Sequence, residues 1–300
     1  MSDWLVSIAG TAQGATVATI LALMSAFFHA VFGALQKGAH DPWLSRGSID
    51  LSFAVISLPI ALFLVPWPDM RMALILAGAV VVHFFYKLTM ARAYERAAYT
   101  VVYPVVRGTG PLVTVAAASI IFREHFTAMQ WAGVACLSGG ILLLALRNIG
   151  EEKVDPRTLK AALAWALLCG VLVAVYTTYD AWGIRQSADP FTFLAWFFLL
   201  SSLDFPVIAF VRYRRMAAAP RLGPLMARGI IGAVLGWVSF GGVMLATFLD
   251  KVGEAAVLRE TSTVFAALIG WFILGDNVGP RRLVLMSLIA LGAVIVELGG

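Results

Sequence analysis

Charge is what this sequence has least of. Asp, Glu, Lys and Arg together make up 13% of its 300 residues, and no polar stretch is long enough to form a soluble domain. With 61% hydrophobic residues and a mean hydropathy of +0.88, a water-soluble fold of this length could not hide its apolar surface. Cysteine is almost absent. Cys136 and Cys169 each lie within an apolar run, which argues against a disulfide framework or a thiolate metal site and leaves two free packing residues. The four histidines are scattered, and there is no HExxH, no clustered metal ligands, no acidic pair of the prenyltransferase type and no phosphate-cradling glycine loop. No metal, cofactor or enzyme activity is therefore expected. Tyr179-Asp180 and Gly275-Asp276 would suit an intramembrane aspartyl protease only with a glycine two residues before Gly275, where Ile273 stands. The opening MSDWLVSIAG lacks the basic stretch of a cleaved signal. A net charge of +5 and a pI near 9.4 would suggest nucleic acid for a soluble protein, but these cations lie mostly between apolar segments and read as topology signals.

What is present is a series of apolar segments, each long enough for about 30 Å of hydrocarbon. Breaks at charges, prolines and turn dipeptides place ten spans near 15–36, 49–66, 70–91, 99–122, 127–146, 159–182, 191–211, 227–248, 252–274 and 280–298. A 152-residue offset superimposes Arg107 on Arg259, Thr109 on Thr261, Glu124 on Asp276 and Gly140 on Gly292, with no gap from Val105/Val257 to Leu146/Leu298. The acid-base pairs Glu95-Arg96 and Asp250-Lys251 repeat at 155. The expected fold is thus an all-α polytopic membrane protein of ten transmembrane helices in two five-helix repeats, 1–148 and 149–300. Five spans per repeat invert the second copy, as in secondary transporters whose sites lie where the repeats meet.

Three stretches carry a resemblance: AYERAAYTVVYP leading into the fourth span, PLVTVAAASIIFREHFTAMQWAGVACLSGGILLL, and AALIGWFILGDNVGPRRLVLMSLIALGAVIV in the second copy. They resemble the drug/metabolite transporter superfamily in its ten-helix form with two EamA-type domains. The resemblance implies a transporter of amino acids, metabolites, nucleotide sugars or drugs, commonly an exporter, in a bacterial inner membrane with its termini inside. The charges imply the opposite orientation. Fifteen Lys and Arg lie in the loops after spans one, three, five, seven and nine, and four in the others. By the positive-inside rule both termini are then outside.

Arg107 and Arg259 are the strongest functional signal. Each lies well inside an apolar span, and a fixed cation there costs about 2.5–3.5 kcal/mol unless it meets protein, water or ligand. Adjacent helical positions point about 100° apart, so Glu260 does not neutralise Arg259, and partners come from Asp50, Asp180, Asp204 or Glu260 across helices. Pro104 and Pro111 are expected to unwind or kink the fourth span around Arg107. Tyr103, His83, Tyr176 and Trp237 join the arginines as candidate substrate contacts, while His29, Glu260, Asp180 and Lys87 are candidates for coupling or gating. His29, His83 and Glu260 could carry a coupling proton; Lys87 could instead snorkel to the membrane surface. Trp4, Trp43, Trp67 and Trp131 are expected at the interface, with Glu124 and Asp276 at helix ends.

The expected function is alternating-access transport of a small anionic or zwitterionic metabolite, its partners being the substrate, the lipid bilayer and, for a coupled carrier, protons. The alternatives are export of hydrophobic cations or drugs, and a non-transporting assembly subunit.

Overall fold

The computed structural model describes residues 2–36, 41–97, 99–150, 155–272 and 280–300 and is all-helical. The helices are α1 (Ser2–Ile8), α2 (Ala12–Gln36), α3 (Pro42–Phe63), α4 (Met70–Tyr94), α5 (Tyr99–Ile121), α6 (Ala128–Gly150), α7 (Pro156–Arg185), α8 (Pro190–Leu200), α9 (Asp204–Arg215), α10 (Leu222–Leu249), α11 (Val252–Arg259), α12 (Ser262–Phe272) and α13 (Pro280–Leu298). They supply ten spans, because α8 with α9 and α11 with α12 each form one broken span. Eight stretches among the described residues are long and apolar enough to cross a bilayer, the α8–α9 pair among them.

Three spans begin with Asp-Pro. Asp41, Asp155 and Asp189 accept backbone N–H groups in the first turns of α3, α7 and α8, and the following proline occupies a position whose N–H would have no partner anyway. This corrects the second span, which starts at Pro42 rather than near 49. Arg46 therefore lies in a helix, where it pairs with Asp50 one turn on at 2.6 Å. Trp43 also leaves the expected interfacial belt: it is buried against Phe205 with the guanidinium groups of Arg92 and Arg212 over its ring. Trp4, Trp67 and Trp131 are exposed as expected.

The breaks are not where the prolines of the fourth span suggested. Pro104 and Pro111 both lie inside the unbroken α5. The equivalent ninth span, without a proline at the break, divides at Glu260-Thr261. There the hydroxyls of Thr261 and Thr263 donate to the carbonyls of Leu258 (2.6 Å) and Glu260 (2.8 Å). The backbone tightens to three-residue bonds, with Glu260 N–H to Val257 O at 3.0 Å and Thr261 N–H to Leu258 O at 3.1 Å. The seventh span breaks at Ser201–Leu203, just before Pro206, which has no N–H to offer the Ser202 carbonyl.

The packing has the two-fold symmetry of an inverted repeat. α2 packs on α10 and α4 on α7, pairing the first span of each half with the third of the other; α6 packs on α13, fifth on fifth. At this last crossing a Cβ on Gly133 would lie 2.8 Å from the Gly292 carbonyl, and one on Gly140 would lie 3.4 Å from the Leu285 carbonyl. Position 285 is the 152-residue equivalent of 133, and 292 that of 140. Each helix therefore meets the other antiparallel and in the same register, as an axis perpendicular to the helices requires.

Apolar side chains cover the outside and polar ones fill the middle, the reverse of a soluble protein. Ile120 and Phe63 are both 80% exposed, whereas Lys87 and Asp180 are each 2% exposed. Between α5 and α6, the Glu124 carboxylate accepts the N–H groups of Val252 (2.7 Å) and Gly253 (3.0 Å), capping α11 across the repeat boundary. Burial pushes its carboxyl above the ordinary range, against the opposing pull of those two amides and of Arg185. Its counterpart Asp276 lies outside the described residues.

Candidate functional site

A central cavity of about 80 Å³ lies among α2, α3, α4, α8, α10 and α11. His29, Arg46, His83, Ser239, Phe240 and Arg259 are in its wall. It has room for a few waters and falls well below the roughly 300 Å³ at which ligand pockets begin. An organic solute can enter only after the helices move. A second cleft, open and of about 600 Å³, lies between Trp43, Arg92, Arg212 and Arg215, apart from the buried charges described next.

The two arginines lie on opposite sides of the symmetry axis but have different partners. Arg107 Nη1 donates to Glu260 Oε1 at 2.8 Å, and its guanidinium covers the ring of Tyr103 at 5.4 Å. The Tyr103 hydroxyl is 3.4 Å from that of Ser262, and its ring stacks with His29 at 6.2 Å. Arg259 forms no ion pair among the described residues, and its Nε has no hydrogen-bond partner there. It lies over Phe240 at 5.0 Å, beside Tyr176. The reason is legible in the repeat: position 108, the equivalent of Glu260, is Gly108, so the first half returns no carboxylate to Arg259.

His83 and Asp180 join the third and sixth spans, with Nε2 and Oδ2 2.7 Å apart. Aromatic rings enclose His83: Tyr176 at 4.7 Å, Phe197 at 4.9 Å, Phe240 at 5.6 Å and Tyr86 at 6.1 Å. The symmetry-related junction, between the first and eighth spans, is made by Ser25 and Ser239, whose hydroxyls are 3.4 Å apart. The 155-residue offset carries Ser25 onto Asp180 and Ser239 onto Phe84, next to His83. One junction is neutral and small, the other ionisable.

Lys87, one turn beyond His83, does not reach for the membrane surface. Its ammonium donates to Asp50 Oδ2 at 2.8 Å, to the Ser201 carbonyl at 2.6 Å and to Asp204 Oδ1. The break in the seventh span provides two of these three acceptors. A lysine buried this deeply must be so compensated, and losing either carboxylate would leave charge stranded in a low dielectric. Trp237 stands apart from the arginines, its Nε1 donating to Ser57 Oγ at 3.2 Å and its ring stacked on Phe198.

The structure thus gathers Arg107, Arg259, Tyr103, Glu260, His29, His83, Asp180 and Tyr176 around one centre, with Lys87 in an adjoining network and Trp237 at its edge. Sequence reasoning missed Arg46, Phe197 and Phe240. The i,i+4 spacing of Arg46 and Asp50 could have shown the first; nothing distinguishes Phe240 from the other 18 phenylalanines until the helices pack.

The sequence profile of the EamA-like transporter family matches residues 16–146 and again 160–298. The chain belongs to the EamA-like transporter family. Two matches account for the duplicated, inverted packing and make this an integral membrane transporter rather than an enzyme. A solved crystal structure of a protein shares the fold with a TM-score of 0.73 at 16% identity, covering 94% of the transporter and 99% of that chain. Among curated proteins none matches.

Proposed function

We propose that this transporter moves a small anionic or zwitterionic metabolite, of the amino acid or organic acid kind, by alternating access of the halves 1–148 and 149–300 in a bacterial inner membrane. The observation that carries the reading is Arg259, a buried guanidinium in the cavity wall without an ion-pair partner among the described residues. A fixed cation held in that condition favours an arriving carboxylate or phosphate, which guanidinium recognises through paired hydrogen bonds. Arg107 is held ready by Glu260 and Tyr103, while Phe240 and Tyr176 offer surface to the apolar part of the solute. Export down the metabolite's own gradient is the expected direction.

Counterflow exchange in proteoliposomes against pooled amino acids, organic acids and drug cations tests this reading. Anions or zwitterions should exchange, and Arg259→Gln should lower that exchange by about 100-fold while the protein still inserts. Exchange of cations alone would overturn the anion site. Orientation is tested separately: the excess of Lys and Arg puts the α9–α10 loop in the cytoplasm, so a cysteine replacing exposed Ala218 should resist membrane-impermeant thiol reagents in intact cells. Ready labelling there would place the termini inside.

A further inference from the structure

The His83–Asp180 pair raises a question that packing does not answer. The fold closes the symmetry-related junction with two serines, Ser25 and Ser239, so an ionisable pair is not needed to join a first span to a third. His83 lies in the wall of the same cavity as Arg259, while Asp180 Oδ1 is buried and without a hydrogen-bond partner among the described residues. We infer that His83 and Asp180 form a proton-binding site whose occupancy sets the charge of the cavity, so that a proton and the substrate anion bind together and are carried in the same direction. This rests on the anion reading of Arg259.

In and just behind the cavity wall, Arg46, Lys87, Arg107 and Arg259 stand against Asp50, Asp180, Asp204 and Glu260. Arg46 and Lys87 are compensated by Asp50 and Asp204, and Arg107 by Glu260. With His83 neutral, its Nε2–H donates to Asp180, and the remaining carboxylate charge offsets Arg259 across the cavity. A proton added at His83 Nδ1 turns that partner into a neutral ion pair, and Arg259 is left as a net positive charge. An anion then restores neutrality. By linkage, whatever protonation gains for the anion, the anion returns to the proton.

The groups facing the pair from the packed elements are few. They are Tyr86 and Lys87 on its own α4, Tyr176 and Tyr179 on α7, Arg259 on α11 and, around the shared cavity, Arg46 on α3, His29 on α2 and Arg107 and Tyr103 on α5. α8 and α10 present Phe197 and Phe240, which do not titrate. His29 stacks with Tyr103 and lacks a carboxylate partner among the described residues, whereas His83 has one at hydrogen-bond distance. A proton carried with each anion also sets direction: an inward proton gradient drives uptake, and export proceeds only when the anion's own gradient is the larger.

The experiment uses the full chain in proteoliposomes, with succinate and glutamate as probes and a pH-sensitive dye in the lumen. The wild type should exchange a probe across the membrane without a pH gradient, should accumulate it when the lumen is made alkaline, and should acidify the lumen as it enters. His83→Gln, which keeps Asp180 charged against Arg259, should lower exchange and accumulation alike, whereas Asp180→Asn should lower gradient-driven accumulation by about tenfold or more relative to exchange, in line with a coupling of that size. The double replacement His83→Ser with Asp180→Ser copies the chemistry of the other junction and should behave as Asp180→Asn does, which covers the case in which a single variant fails to fold. Gradient-driven accumulation that survives in the double variant would overturn the proton site. So would wild-type exchange that ignores the pH gradient, while leaving the anion reading intact. Exchange of neither probe by the wild type would defeat the anion reading and the proton site with it.

Discussion

The fourth and ninth spans descend from one pattern, and they differ in the residue that follows the arginine. Arg107 is followed by Gly108 in a helix that stays whole despite two prolines; Arg259 is followed by Glu260 at a break that contains none. The carboxylate of the second copy neutralises the arginine of the first, and the first copy returns nothing. A symmetric scaffold thus holds one arginine with an ion-pair partner and one without, among the described residues. The third and eighth spans repeat the lesson, since His83 meets Asp180 on one side and Ser239 meets Ser25 on the other. Symmetry builds the bundle, and departures from it carry the chemistry.

The strongest way to break the comparison is to remove the one acid that separates the copies. Glu260→Gln leaves Arg107 buried without its partner and should cost about 3–5 kcal/mol, seen as a large fall in thermal midpoint in detergent. Adding Arg107→Gln to that variant should recover part of the loss, because neither charge is then stranded; an additive double variant would show that the pair is not coupled.

The close packing of the two halves is tested at the crossing of α6 and α13. A methyl on Gly292 would lie 2.7 Å from the Gly133 carbonyl, and one on Gly133 would lie 2.8 Å from the Gly292 carbonyl. Gly133→Ala and Gly292→Ala should therefore destabilise by similar amounts, about 1–3 kcal/mol each. Gly139→Ala, which meets nothing within 4 Å, should be neutral or stabilising by up to about 1 kcal/mol. A large difference between the two interface glycines in chemical unfolding would count against a mutual close approach at this crossing.

The smallest effect concerns Glu124. Burial raises its carboxyl above the usual range, so the folded chain holds that proton more tightly than the unfolded chain. Its contribution to stability is then greatest below the ordinary glutamate pKa and declines as pH rises through the raised one. Glu124→Gln, which has no such proton, should flatten the dependence of thermal midpoint on pH across that window; an unchanged slope would assign it to other groups.

The sequence by itself determined the membrane class, the ten spans, the duplication and the two arginines, because each rests on local composition or on a fixed offset. It also put Arg107 beyond the reach of lipid, since a permanent cation in an apolar span has few alternatives. Only the tertiary structure decided who pairs with whom. Lys87 could not be read as bound to Asp50 and Asp204, which lie 37 residues before it and 117 after it. Nor could the whole fourth span and the broken ninth be foreseen, because prolines signal strain locally while the hydroxyls of Thr261 and Thr263 decide where carbonyls find donors. Ion pairing across a bundle is set by which helix faces meet, and that is a property of the packed whole.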